Sequence, residues 1–157
     1  MRTHNEEFFG CPPRQAFALA REVDRWPSLL PHYRYVRIHE GDSERGGLVE
    51  MAARREFGRL GWPVWWLSRM WVDHERLTVR YQHVEGITRG MTVRWQVEPA
   101  AQGSRVSILH EWEEGPHFAG PLAPALGTAV IGPLFVHFIA GRTLYHLARH
   151  VAREVAQ

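Results

Sequence analysis

The 157-residue sequence contains no lysine, and its only cysteine is Cys11. Without lysine there is no Schiff-base lysine, and all nineteen basic residues are arginines. They are scattered along the chain rather than gathered into a stripe that could track phosphates, and the net charge is only +2, so nucleic acid is not an expected partner. A lone cysteine cannot close an internal disulfide, and nothing calls for an oxidising compartment. The opening MRTHNEEFFGCPP carries acids where a signal peptide has its apolar stretch, which places the protein in the cytoplasm. Also missing are G-x-S-x-G, a phosphate-binding loop, G-x-G-x-x-G after a strand and a cysteine pair for zinc. His146 and His150 have the i, i+4 spacing that can hold a metal on a helix, but arginines surround them and no carboxylate or cysteine partner is evident. No metal and no cofactor are expected.

One segment is long and uncharged. From Phe118 to Gly141, 24 residues pass without a formal charge. Pro121, Pro124 and Pro133, several glycines and His137 interrupt it, so it reads as an apolar loop leading into a helix that starts near Pro133, not as a membrane span.

The rest of the chain divides by periodicity. Thr3 to Phe9 predicts a strand, Pro13 to Asp24 a helix with Phe17, Ala20 and Val23 at helical spacing, and Ser28 a short helical turn. Six alternating segments follow: Tyr35 to Glu40, Leu48 to Phe57, Trp62 to Asp73, Arg76 to Glu85, Gly90 to Glu98 and Arg105 to Trp112. Their separators are short, among them the three residues Asp73-His74-Glu75, and imply an antiparallel meander. A final helix to about Val155 carries the apolar stripe Phe135, Phe138, Leu144, Leu147, Val151 and Val155. The order predicts one α+β domain over residues 1–157, large enough to bury roughly 70% of its unfolded surface, with a curved sheet wrapped on the last helix around a cavity.

Alternation then assigns faces. Met91, Val93, Trp95 and Val97 point inward, as do Val106, Ile108, His110 and Trp112, and Leu77, Val79, Tyr81 and His83. The segment WPVWWLSRMWVD is apolar on both faces. Its Trp65 and Arg69 are assigned to the cavity, and the other face is left to helix packing or to a second chain. The candidate catalytic groups are Arg69, Tyr81, His83 and His110, joined by Arg55 and by Asn5 or Glu7 if these turn inward; Trp65, Arg69, Tyr81, Trp95, Trp112 and Phe138 are the candidate ligand wall. Aromatic faces stack on planar guests, and an arginine can hold a carboxylate or an enolate oxygen. Against this stands the simpler reading of the same residues as core, with Arg69 paired to Glu7 or Glu50.

The stretch THNEEFFGCPPRQAFALAREVDRWPSLLPHYRYVRIHE, the later WLSRMWVDHERLTVRYQHVEG and VRWQVEP, and the closing GPLFVHFIAGRTLYHLARHVARE resemble the polyketide cyclase/dehydrase group of the START-like, helix-grip superfamily. The resemblance implies a START/Bet v 1-like fold, seven antiparallel strands gripping a long C-terminal helix, with an apolar tunnel for a lipid, isoprenoid or polyketide. It also implies an arginine on a central strand, for which Arg69 is the candidate, and a pocket tyrosine, for which Tyr33, Tyr35 and Tyr81 compete.

Three functions follow from these residues. The first is binding of a hydrophobic small molecule, with the loop from Pro116 to Gly132 as a gate. The second is a polyketide aromatase/cyclase or dehydratase acting on a β-keto chain held by an acyl carrier protein. The third is a protein-interaction module using the outer face of the Trp62 to Asp73 strand. A homodimer through that face is compatible with all three.

Overall fold

The structure, a computed structural model, describes residues 1–57, 60–122, 125 and 127–156. Seven strands form one antiparallel sheet: β1 (Arg2–Phe9), β2 (Tyr33–Asp42), β3 (Gly46–Phe57), β4 (Leu60–Asp73), β5 (Thr78–Gly86), β6 (Thr92–Ala100) and β7 (Gly103–Glu111). Their spatial order is β1-β7-β6-β5-β4-β3-β2, so only the first connection leaves the meander. That connection carries α1 (Pro13–Arg21), a 3₁₀ turn (Val23–Arg25) and α2 (Trp26–Leu29) from one sheet edge to the other. The long helix α3 (His137–Val155) lies against β1 and β3. This is the seven-stranded helix-grip arrangement expected from the resemblance.

Local sequence sets the boundaries. Pro13 opens α1, where a missing N–H costs nothing, and Ala16, Phe17, Leu19 and Ala20 form its buried face. The helix ends at Arg21, three residues before the expected Asp24. Trp26 follows at the head of α2; its indole N–H donates to the Leu19 carbonyl at 2.9 Å, which satisfies the donor while the ring is buried. At the other end α3 begins at His137 rather than Pro133. The preceding Gly127–Val136 winds as a wider π-type helix with Pro133 inside it, and proline has no N–H to donate to the regular α ladder.

Two hairpins are closed by the same device. In β2–β3 the Asp42 carboxylate accepts from the backbone N–H groups of Glu44 (3.0 Å) and Arg45 (2.7 Å). In β4–β5 Asp73 accepts from Glu75 (3.1 Å) and Arg76 (2.9 Å), and Leu77 takes a left-handed φ of 51°. The second connection therefore runs one residue longer than the expected Asp73-His74-Glu75, with Thr78 paired to Asp73.

That register fixes the faces of β4. Residues directly opposite in an antiparallel pair share a face. Val72 pairs with Val79 and Met70 with Tyr81, so the inward set is Trp62, Val64, Trp66, Ser68, Met70 and Val72. Trp65, Arg69 and Trp71 point outward. The assignment of Trp65 and Arg69 to the cavity is thus corrected. A three-residue turn would set Trp71 opposite Leu77 and reverse the phase, because slipping by an odd number of residues exchanges the faces.

The concave side of the sheet and α3 share one apolar core. Leu144, Leu147 and Val151 are buried on the helix, whereas Val155 is exposed, so the stripe stops one turn short of the predicted end. Leu147→Ala should lower the free energy of unfolding by about 2–5 kcal/mol, the cost of an aliphatic deletion in a packed core. Val155→Ala should stay within about 0.5 kcal/mol of the parent, as surface changes do. Urea denaturation of both variants checks the pair.

Candidate functional site

An apolar cavity of about 90 Å³ lies between the concave face and the roof formed by the π-type segment and α3. Trp26, Tyr33, Trp62, Trp66 and Trp95 supply aromatic wall, and Ile131, Phe135, Val136, Ile139 and Thr143 supply the roof. The roof residues recur at one-turn intervals, which is why they share a side.

Four of the candidate residues meet here. Tyr81, His83, Trp95 and His110 all line the cavity, as alternation along β5, β6 and β7 requires. Trp112 is buried but lies outside the lining, its indole N–H donating to the Arg89 carbonyl at 3.0 Å. Phe138 also lies outside it: the guanidinium carbon of Arg55 stands 3.4 Å from its ring centroid and that of Arg142 5.7 Å. Because neighbouring helix positions diverge by about 100°, Ile139 turns into the cavity and Phe138 turns aside. Trp65 and Arg69 are on the far face of the sheet. Asn5 is buried at the helix and its amide donates to the His137 carbonyl. Of the competing tyrosines, Tyr33 and Tyr81 face the cavity, while Tyr35 donates to Glu50 at 2.6 Å on the outer surface.

Several wall residues escaped the sequence reading. Trp66 stacks on His83 with ring centroids 5.8 Å apart and planes 8° from parallel, and Thr88 shares a 2.6 Å hydrogen bond with His83 Nδ1. The β4–β5 register would have revealed Trp66. Nothing local reveals Thr88, which reaches the site through the β5–β6 turn.

The polar groups of the chamber are uncharged. Desolvation pushes His83 and His110 each down to about 3, with a smaller contribution from a neighbouring histidine in each case. Burial raises the Tyr81 phenol well above its ordinary value. Two side-chain atoms within this wall, Tyr81 Oη and His110 Nδ1, are buried without a protein hydrogen-bond partner. Beside the cavity, Thr143 Oγ1 donates to the Ile139 carbonyl and therefore accepts from His32 Nε2 at 3.0 Å; desolvation, with smaller contributions from the neighbouring His146 and Arg142, lowers His32 to about 4. No aspartate, glutamate or arginine lines the cavity among the described residues.

Elsewhere, His150 Nε2 lies 3.2 Å from Glu154, and the His146 ring packs against His32 and Tyr145. Cys11 is buried, and burial raises its thiol, which keeps it a poor nucleophile. Among the described residues no helix is long and apolar enough to cross a membrane. Of the expected Pro116 to Gly132 gate, positions 123, 124 and 126 lie outside the described residues.

Residues 10–143 match the family profile described as polyketide cyclase / dehydrase and lipid transport. The chain belongs to that family. Its fold is similar to that of a protein from Thermus thermophilus, with 20% identity, TM-score 0.74, and 98% of this chain covering 99% of the other. It also resembles the Zhui aromatase/cyclase of a Streptomyces species (16% identity, TM-score 0.73, 99% and 95% covered). A START superfamily protein from Mycobacterium smegmatis matches at 13% identity and TM-score 0.66, with 99% and 97% covered. At these identities the likeness establishes a shared fold. No curated protein matches the chain. Within this family the fold hosts both binding and catalysis, so the chamber's own chemistry must decide between them.

The three buried imidazoles give a pH signature. A histidine whose folded pKa lies below its unfolded value near 6.5 holds fewer protons folded than unfolded between the two, so acidification through that window favours the unfolded chain. Stability should be fully present above pH 6.5 and decline progressively toward pH 3–4. Imidazole NMR should show His32, His83 and His110 still neutral at about pH 5, while an exposed histidine with the ordinary value near 6.5 is largely protonated. Protonation of all three near pH 6.5 would contradict their burial.

Proposed function

We propose that the protein binds a neutral hydrophobic small molecule bearing a hydroxyl or carbonyl group, a hydroxylated lipid, isoprenoid or polycycle, in the chamber between sheet and helix. The observation that carries this reading is the pair Tyr81 Oη and His110 Nδ1, buried in an aromatic wall with no protein partner. An orphaned buried polar group costs about 1–3 kcal/mol, and a ligand oxygen that reaches either of these atoms removes that atom's cost. A carboxylate or phosphate at the same place would find no counter-charge among the described lining residues, and burying an unpaired ion is far more expensive. The guest is therefore uncharged where it is enclosed.

The free volume of about 90 Å³ is below the roughly 300–1,000 Å³ of drug-sized sites, so a polycyclic guest requires the roof to move. Outward displacement of Gly127–Val136, which carries Ile131, Phe135 and Val136, opens the chamber directly.

A second reading, cyclisation or dehydration of a β-keto chain delivered by an acyl carrier protein, draws on the same Tyr81, His83 and His110. An imidazole at about 3 has little drive to take a proton near neutral pH, and Arg69 is not there to stabilise an enolate. These groups serve better as hydrogen-bonding partners than as acid and base, which favours binding.

Quenching of tryptophan fluorescence by naphthol, naphthalene and naphthoate tests the reading. Naphthol should bind most tightly and naphthoate least. Tyr81→Phe should weaken naphthol by roughly 2- to 10-fold, the worth of one neutral hydrogen bond, and leave naphthalene unchanged. Arg69→Ala should change neither. Preferential uptake of naphthoate, or a Tyr81→Phe variant indistinguishable from the parent, would refute the proposal.

A further inference from the structure

The outer face of β4 presents Trp65 and Trp71, 47% and 43% exposed, on either side of Leu67 and Arg69. Cross-strand pairing shows how charge is distributed around them. Leu67 is flanked by Glu50 of β3, which already holds Tyr35 and His39 and faces Arg37 of β2, and by Glu85 of β5; Arg69 by Leu48 and Gln82; Trp71 by Gly46 and Arg80, with Arg94 beyond Arg80. Acids thus bracket β4 at Leu67, whereas arginines stand at Arg69 and on the β5 side of Trp71, about 7 and about 13 Å further along the strand. Arg80 directly faces Arg94, an unfavourable like-charge pair, and none of Arg69, Arg80 and Arg94 forms an ion pair with a described residue. Between Arg80, Arg94, Leu109 and Trp71 the face opens into a hollow of about 390 Å³.

This distribution is complementary to itself. We propose that the outer face of β4 is a dimer interface and that its occupant is a second copy of the chain, related by a twofold axis that crosses β4 at Ser68. The two β4 strands then run antiparallel face to face. Arg69 lies over the partner's Leu67, between the partner's Glu50 and the partner's Glu85, and Trp71 lies over the partner's Trp65 beside the hollow. Each contact occurs twice, as an isologous interface requires. Four indoles become covered, and exposed aromatic patches of this kind mark association surfaces. A uniformly anionic partner, such as an acidic membrane or nucleic acid, fits less well because Glu50 and Glu85 share the face with the arginines. The cavity opens on the opposite side of the sheet, so dimerisation leaves it free and the proposal does not rest on the ligand reading.

Sedimentation velocity at high micromolar concentration and low salt should show a dimer that weakens as salt rises. Arg69→Glu and Glu85→Arg should each weaken it by more than tenfold, since like charges facing one another across an interface cost several kcal/mol. The double variant Arg69→Glu/Glu85→Arg should regain dimerisation, and circular dichroism should show all three folded. A parent that remains monomeric, or a dimer indifferent to these substitutions, overturns the proposal. Naphthol binding by Arg69→Glu reports on the cavity separately.

Discussion

The pair of backbone amides that Asp73 gathers sits at the turn on which the facing of β4 depends. By holding Glu75 and Arg76, the carboxylate sets the connection between β4 and β5, and Leu77 completes it in a left-handed conformation. The length of that connection decides which of two apolar faces of β4 meets the helix. Val72, Met70 and Trp66 go in; Trp71, Arg69 and Trp65 go out. Because the side-chain period of a strand is two, no intermediate arrangement exists. The uncharged chamber and the amphipathic outer face are both products of this turn.

The exclusion of the guanidinium changes the chemistry available inside. With Arg69 in the chamber, an anionic ligand or an enolate would have had a counter-charge. Without it, the described wall offers the phenols of Tyr33 and Tyr81, two imidazoles kept neutral by burial and the hydroxyls of Thr88 and Thr143, the first hydrogen-bonded to His83. In a low-dielectric enclosure such groups recognise oxygen functions through hydrogen bonds, and burial disfavours any step that would leave a charge behind. The roof adds a second constraint. The π-type segment contains Pro133, which has no N–H to donate, and it is this segment that must yield if a guest larger than the resting volume is to enter.

Much of the architecture was written in periodicity. Strand alternation in β5, β6 and β7 correctly placed Tyr81, His83, Trp95 and His110 on one surface, because in each of those strands one face is polar and the other is not. The same test had no purchase on β4, where indoles occupy both faces. Helical periodicity found α3 but put Phe138 on the cavity side, since it took the helix to be regular from Pro133 onward. The family likeness supplied the sheet and helix, and the profile over residues 10–143 agrees with it.

Local patterns were enough for the seven strands, the long closing helix and an aromatic interior with few polar groups, because each segment carries its own periodicity and turn chemistry. Assembly in three dimensions was needed to turn Arg69 and Trp65 outward, to leave Tyr81 and His110 without partners, and to enclose His83 between Trp66 and Thr88. Those facts depend on register between strands, and register is fixed by turn geometry and by the joint burial of residues distant in the chain, which no single segment encodes.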